Sequence, residues 1–321
     1  MTHGNRLAQY LASLLRVFEA TRDKREAHRQ ASEILANMTS DPSVITAVLE
    51  QNLSSSGFFN QLHYPVVALQ VERNAYYHLV ANCWIPLPNR ATNISTKAVH
   101  HHGTMLLSTA TAWGPGYEHW LFTLPRETES LESVYSAAIL ERGPHPRHHV
   151  AFVDSFTAHL PFYPRSLTIT LALWSSESPV NWKDHVKKLP ILQKQSGRLR
   201  GLAAQLGLAR QLDLKIVENF DFYPLEKGLC AMPARIEFRR GPNEDFLYSL
   251  FHVLQETGNE SLVPLVRKRI SEEKIDNPAL VNRLLDDLES GRQIEGRLSA
   301  GHYGVPHLNF TAEELERALV R

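Results

Sequence analysis

His100-His101-His102-Gly103-Thr104-Met105-Leu106-Leu107-Ser108-Thr109-Ala110-Thr111-Ala112-Trp113, closed by Gly114-Pro115-Gly116, is the stretch whose reading decides the fold. Its β-branched and apolar residues without helical spacing predict a buried strand, and the Gly-Pro-Gly triplet predicts a turn. Side chains on a strand alternate between faces, so His100 and His102 point to one side and His101 to the other. Two neutral imidazoles side by side are a large part of a site for iron, zinc, copper or nickel.

Similar runs surround this stretch. Pro65 to Val71, Ala75 to Trp84, Thr96 to His102, Tyr117 to Leu124, Val134 to Glu141, His149 to Phe156 and Ser166 to Trp174 have strand character. Gly143-Pro144-His145-Pro146 reads as a second break. His159 and Pro161 to Pro164 read as the turn between the last two strands, with His159 near the start of the return strand. Short strands at hairpin spacing predict an antiparallel β-barrel or jelly roll.

The flanks are helical. Leu7, Leu11, Leu14, Leu15 and Phe18 form one stripe, and Ser40-Asp41-Pro42 reads as a capped helix start. After Pro179, Val186 to Leu214 reads as mostly helical. Asn243 to Glu256, Ser261 to Glu272 and Pro278 to Leu288 read as helices, with Gly258 and Gly291 as stops. Lys215 to Phe222 and Ala234 to Phe238 are candidate short strands, and Thr311-Ala312-Glu313-Glu314 opens a last helix. The expected class is α+β, with helices at 1–58, a barrel at 59–178 and a mainly helical segment at 179–321.

The chain has 321 residues and zero formal net charge, with 43% hydrophobic and 21% charged residues. That length supports a real core. The charge balance argues against nucleic acid or an anionic membrane as a general partner. No run spans a bilayer, and the N-terminal stretch lacks a cleavage site. Cys83 and Cys230 fit no CxxC pattern. The expectation is a cytoplasmic protein with two buried thiols, and the leucine stripe of the first helix makes a homodimer a further expectation.

His100-x-His102-Gly103, with Phe152-Val153-Asp154-Ser155-Phe156-Thr157-Ala158-His159 followed by Ser166 to Trp174, resembles the two motifs of the cupin superfamily. The resemblance covers roughly residues 60 to 175. It implies a small β-barrel that holds one metal through His100, His102 and His159. Cupins usually add a glutamate shortly after the HxH, but Met105, Leu106 and Leu107 occupy those positions. A three-histidine set is similar to the thiol dioxygenase branch, of which cysteine dioxygenase is the example. That similarity implies iron(II), with zinc, manganese and nickel as alternatives. The expected reaction is oxidation of a small polar, amino-acid-like or thiol metabolite by dioxygen.

The competing expectations are a non-oxidative lyase, isomerase or hydrolase on the same barrel, and a non-catalytic binding protein. Glu118 and Tyr117, just past the Gly-Pro-Gly turn, are the candidate catalytic residues, with Glu118 as fourth ligand or general base. His149 is an alternative to His159 as ligand. Arg165 could bind a carboxylate, although a surface role is the simpler expectation. The segment with His302, Tyr303, His307 and Asn309 could fold over the barrel mouth.

Overall fold

The computed structural model describes residues 3–60, 67–86, 100–124, 126–127, 135–177, 218–225, 228–234, 243–297 and 312–319. Three helices open the chain: α1 (His3–Ala20), α2 (Lys24–Ser40) and α3 (Pro42–Ser54). Each turn between them has a local cause. The Asp23 side chain accepts from the Arg25 backbone N–H at 2.9 Å and starts α2. Asp41 accepts from Ser43 at 3.0 Å, and Pro42 fits the first turn of α3, where its missing N–H costs nothing.

The strands are β1 (Val67–Arg73), β2 (His78–Trp84), β3 (His100–His101), β4 (Met105–Trp113), β5 (Tyr117–Phe122), β6 (Arg126–Glu127), β7 (Tyr135–Ser136), β8 (Ile139–His145), β9 (Val150–Val153), β10 (Ala158–Pro161), β11 (Thr168–Ser176), β12 (Glu218–Leu225) and β13 (Gly228–Ala234). Two antiparallel sheets result. The first has the order β1-β2-β11-β4-β9, and the second β13-β12-β3-β10-β5-β8. A small hairpin pairs β6 with β7. Within these sheets, β2-β11-β4-β9 lies over β3-β10-β5-β8, and the chain crosses between them at β2–β3, β3–β4, β4–β5, β8–β9, β9–β10 and β10–β11. That order is the two-Greek-key pattern of a jelly roll. The class is α+β, with helices on both sides of the β region in sequence.

The glycines of the Gly114-Pro115-Gly116 turn are required. Both have positive φ, +78° and +83°. A Cβ on Gly114 would lie 2.1 Å from the Leu167 carbonyl oxygen, and one on Gly116 2.1 Å from that of His145.

The first sheet separates two environments. Leu79, Ala81 and Cys83 of β2, Ala110 and Ala112 of β4, and Ile169, Leu171 and Leu173 of β11 share one core with Phe18, Leu35, Met38 and Leu49 of the N-terminal helices. The same core takes Phe251 and Leu254 of α4 (Asn243–Glu256), Val266 of α5 (Val263–Glu272) and Leu284 of α6 (Pro278–Glu289). Each leucine, isoleucine, valine, methionine or phenylalanine among them, fully buried, stabilises the fold by about 1.5–3 kcal/mol relative to exposure. Leu7 and Leu14 are buried in this core too, so those two leucines of the α1 stripe are used within the chain. On the opposite face, Leu107, Val153 and Ala172 pack toward Leu121 of the second sheet and Trp174. With both faces covered, β4 reads as a nearly unbroken apolar and threonine run.

Three segments differ from the sequence expectation. His159 lies within a strand, β10, rather than in a turn. The strand β8 runs through Gly143-Pro144, where a break was expected. It is the edge of its sheet, and an edge strand tolerates a residue with no N–H. The second sheet also extends beyond residue 178, because β12 pairs with β3 through Glu218↔His101 and Asn219↔His100.

The C-terminal helices match the expected ranges within two residues, and Gly258 and Gly291, at φ +66° and +68°, follow the ends of α4 and α6. A last helix, α7, covers Ala312–Leu319. The expected helix at Val186 to Leu214 and the segment with His302, Tyr303, His307 and Asn309 lie outside the described residues. Among the described residues, no helix is long and apolar enough to cross a membrane.

Candidate metal centre

β3 and β10 are neighbours, and their register sets His159 directly opposite His100. Residues opposite each other on antiparallel strands share a face. Alternation then places His102 with His100 and turns His101 away. His101 is buried on the other side, where its Nδ1 accepts the Gly103 backbone N–H at 3.1 Å. Gly103 sits at φ +59°, and its carbonyl accepts the Phe156 N–H at 2.8 Å. This bond ties the HxH turn to the loop that leads into β10.

Arg25 of α2 steadies the same end of the barrel. Its guanidinium donates to Asp154 at 2.9 Å, Ser155 at 3.0 Å and Glu177 at 3.0 Å. These partners are partly exposed, so the gain is about 0–1 kcal/mol per pair. The value of the bonds is in aligning two loops.

One nitrogen each from His100, His102 and His159 falls within 4.8 Å of the others. Nε2 of His102 lies 3.0 Å from Nε2 of His159. The ring centroids are 4.8 Å apart for His100–His102, 4.3 Å for His100–His159 and 5.1 Å for His102–His159. Burial holds His102 and His159 well below the ordinary histidine range, and the neighbouring imidazoles lower them further. They are neutral at physiological pH, the form that offers a lone pair to a metal. Among the described residues, no aspartate, glutamate or cysteine joins the group.

Aromatic and apolar side chains stand nearby. Trp174 meets His102 edge-on at 4.4 Å. Leu107, at one of the positions where a cupin glutamate would fall, packs with Val153 and Ala172 instead. Behind His159 lies a second layer. Nε2 of His119 is 2.9 Å from Nδ1 of His159. Burial pushes His119 down to about 3, with His145 and His100 adding to the effect. The Tyr117 ring stacks on His145 at 5.1 Å, and Nε2 of His145 is 2.9 Å from the Thr109 carbonyl oxygen.

The structure therefore brings together His100, His102 and His159, and places Tyr117 on the same side, two layers back. It does not bring Glu118 to them. β5 pairs with β10 through Leu121↔His159 and Pro161↔His119, so the odd-numbered residues of β5 face the histidines. Glu118 is on the other face, where its carboxylate accepts from the Trp120 indole at 2.6 Å. A role for Glu118 as ligand or general base at this centre is not supported by that position. His149 is exposed and contacts the ring of His145, away from the three. Arg165 is exposed. The residue that sequence reading missed is His119. Its signal was present, since it alternates with Tyr117 on an apolar strand, but the strand's inward face was not known.

No protein-family model matches the chain, and no curated protein matches it. Solved structures to which it is similar include hydroquinone 1,2-dioxygenase from Sphingomonas sp. TTNP3, at 14% identity over 44% of this chain and 74% of that one, with a TM-score of 0.26. An uncharacterized protein with a double-stranded β-helix domain from Klebsiella pneumoniae is similar at 10% identity over 36% and 78%, with a TM-score of 0.22. Oxalate oxidase is similar at 10% identity over 40% and 59%, with a TM-score of 0.22. At these values the fold rests on the strand order above.

Proposed function

We propose that His100, His102 and His159 hold one divalent metal ion, iron(II) in the working protein. The protein is then a mononuclear non-haem oxygenase that uses dioxygen on a small polar metabolite, amino-acid-like or thiol in character. The observation that carries this reading is the meeting of three imidazoles, from two neighbouring strands, inside a jelly roll. Their donor set fits such an ion: three borderline nitrogen ligands, with His102 and His159 held neutral by burial and by the neighbouring imidazoles. Iron(II) in this ligand set supplies a place where substrate and dioxygen bind side by side and are activated together.

The chain's own residues do the rest. His100 and His159 are held opposite each other by the β3–β10 register, so these two side chains are brought together by the backbone pairing before any ion arrives. Trp174 sets an aromatic edge against His102 and limits how far that ring can turn.

The test is metal analysis of protein loaded anaerobically with iron(II), joined to oxygen-electrode screening of amino acids and thiols. One iron per chain and substrate-dependent oxygen uptake are expected, both lost in His102→Ala. Protein that takes up no stoichiometric metal ends the reading. Turnover that needs metal but continues without dioxygen moves it to a lyase or isomerase.

A further inference from the structure

We propose that His119 is the residue that positions His159 for metal binding, by accepting a hydrogen bond from its Nδ1–H. The inference rests on the metal reading above and adds to it. A neutral imidazole has one N–H and one lone pair. His159 turns Nε2 toward His102, at 3.0 Å, and Nδ1 toward His119, at 2.9 Å. If Nε2 is the ligand atom, the proton sits on Nδ1, and this N–H donates a hydrogen bond to the Nε2 lone pair of His119. That bond fixes both the tautomer and the ring plane of the ligand.

The partner is placed by the fold. β5 lies beside β10, and the Pro161↔His119 register sets His119 one inward position along from His159. His119 is itself buried, with the Tyr117 ring at 5.8 Å and the His145 ring at 6.2 Å. Its ring is therefore held and does not swing to solvent. The nature of the acceptor also matters. A carboxylate in this place would add a negative charge next to the ligand, whereas an imidazole orients His159 and leaves the site's charge to the metal. His119 touches a ligand and not the reacting atoms, so it is a positioning residue.

The experiment uses the full chain stripped of metal and titrated with zinc(II) against a chromogenic chelator. Wild type should bind one ion per chain. His119→Leu should bind about 10- to 100-fold more weakly, and His119→Gln, whose side-chain carbonyl can accept the same hydrogen bond, should recover most of the loss. Long-range 1H–15N correlation spectra of the zinc-loaded wild type should show a slowly exchanging proton on Nδ1 of His159, which His119→Leu loses and His119→Gln keeps. Thermal unfolding of the metal-free variants checks that each is folded. If His119→Leu is not, His119→Asn replaces it, carrying the amide of Gln on a stem too short to reach.

Unchanged zinc affinity in a folded His119→Leu or His119→Asn overturns the proposal, as does a zinc-bound His159 whose Nδ1 proton exchanges as fast as in those variants. Wild type that binds no zinc or iron overturns the metal reading itself. Wild type that binds while the variant binds equally well removes only the role of His119.

Discussion

Two buried histidines on opposite faces of the first sheet make an instructive pair. His28 of α2 lies on the helix-covered face, with Nδ1 at 2.7 Å from the Ser108 hydroxyl and Nε2 at 2.9 Å from that of Ser175. His159 lies in the barrel interior, with imidazoles at both nitrogens. Burial lowers both below the usual histidine range. The difference lies in the partners. A hydroxyl can donate or accept as needed, so His28 closes its hydrogen bonds locally and the site is complete. His159 faces His102 and His100, and one ring nitrogen of each lies within 4.8 Å of the others. A titration shift alone does not separate the two settings, but the chemistry of the neighbours does.

The strongest way to break this comparison is His159→Ala. Bound metal should fall from one per chain to trace levels by elemental analysis, while the metal-free protein still unfolds cooperatively. His28→Ala should do the reverse. It leaves two serine hydroxyls buried without their partner and opens a cavity, at a cost of about 2–4 kcal/mol in urea unfolding, and metal content should stay at one per chain. Equal metal loss in both variants would erase the distinction.

A third measurement uses pH. His28 has a folded-state value of about 3 against an ordinary 6.5. The unfolded chain therefore binds its proton first as pH falls. The stabilising contribution of neutral His28 is full above about pH 6.5 and is lost as pH drops from there toward 3, by about 1.4 kcal/mol per pH unit at most. Metal-loaded wild type should show this acid-side loss in urea midpoints, and His28→Asn should show a slope smaller by about one proton. Identical slopes would mean that His28 is charged or solvated. The smallest effect is expected from Glu118→Gln. The amide oxygen can still accept from Trp120, and the residue faces away from the histidines, so metal content and turnover should stay within about twofold. A loss of about a hundredfold would return Glu118 to the centre.

Much of this was legible in local sequence. His100-x-His102 alternates whatever the strand pairs with, and Gly114 and Gly116 supply the two positive φ values their turn needs. The C-terminal helices announced themselves through apolar period, Pro278 in the first turn and the glycines beyond their ends. Other features depended on partners far along the chain. Pro144 belongs to a strand because β8 is an edge. His159 belongs to one because β3 and β5 flank it. Glu118 and His119 are adjacent and equally polar, and nothing local separates the one that faces Trp120 from the one that faces His159.

The sequence by itself determined the strand alternation, the Gly114-Pro115-Gly116 turn, the helix caps and the presence of an imidazole pair, because each follows from dihedral preferences and spacing within a few residues. Only the tertiary structure decided which third histidine meets that pair and which imidazole stands behind it. Both depend on register between strands separated by tens of residues, and a shift of one residue would have turned Glu118 inward and His119 out.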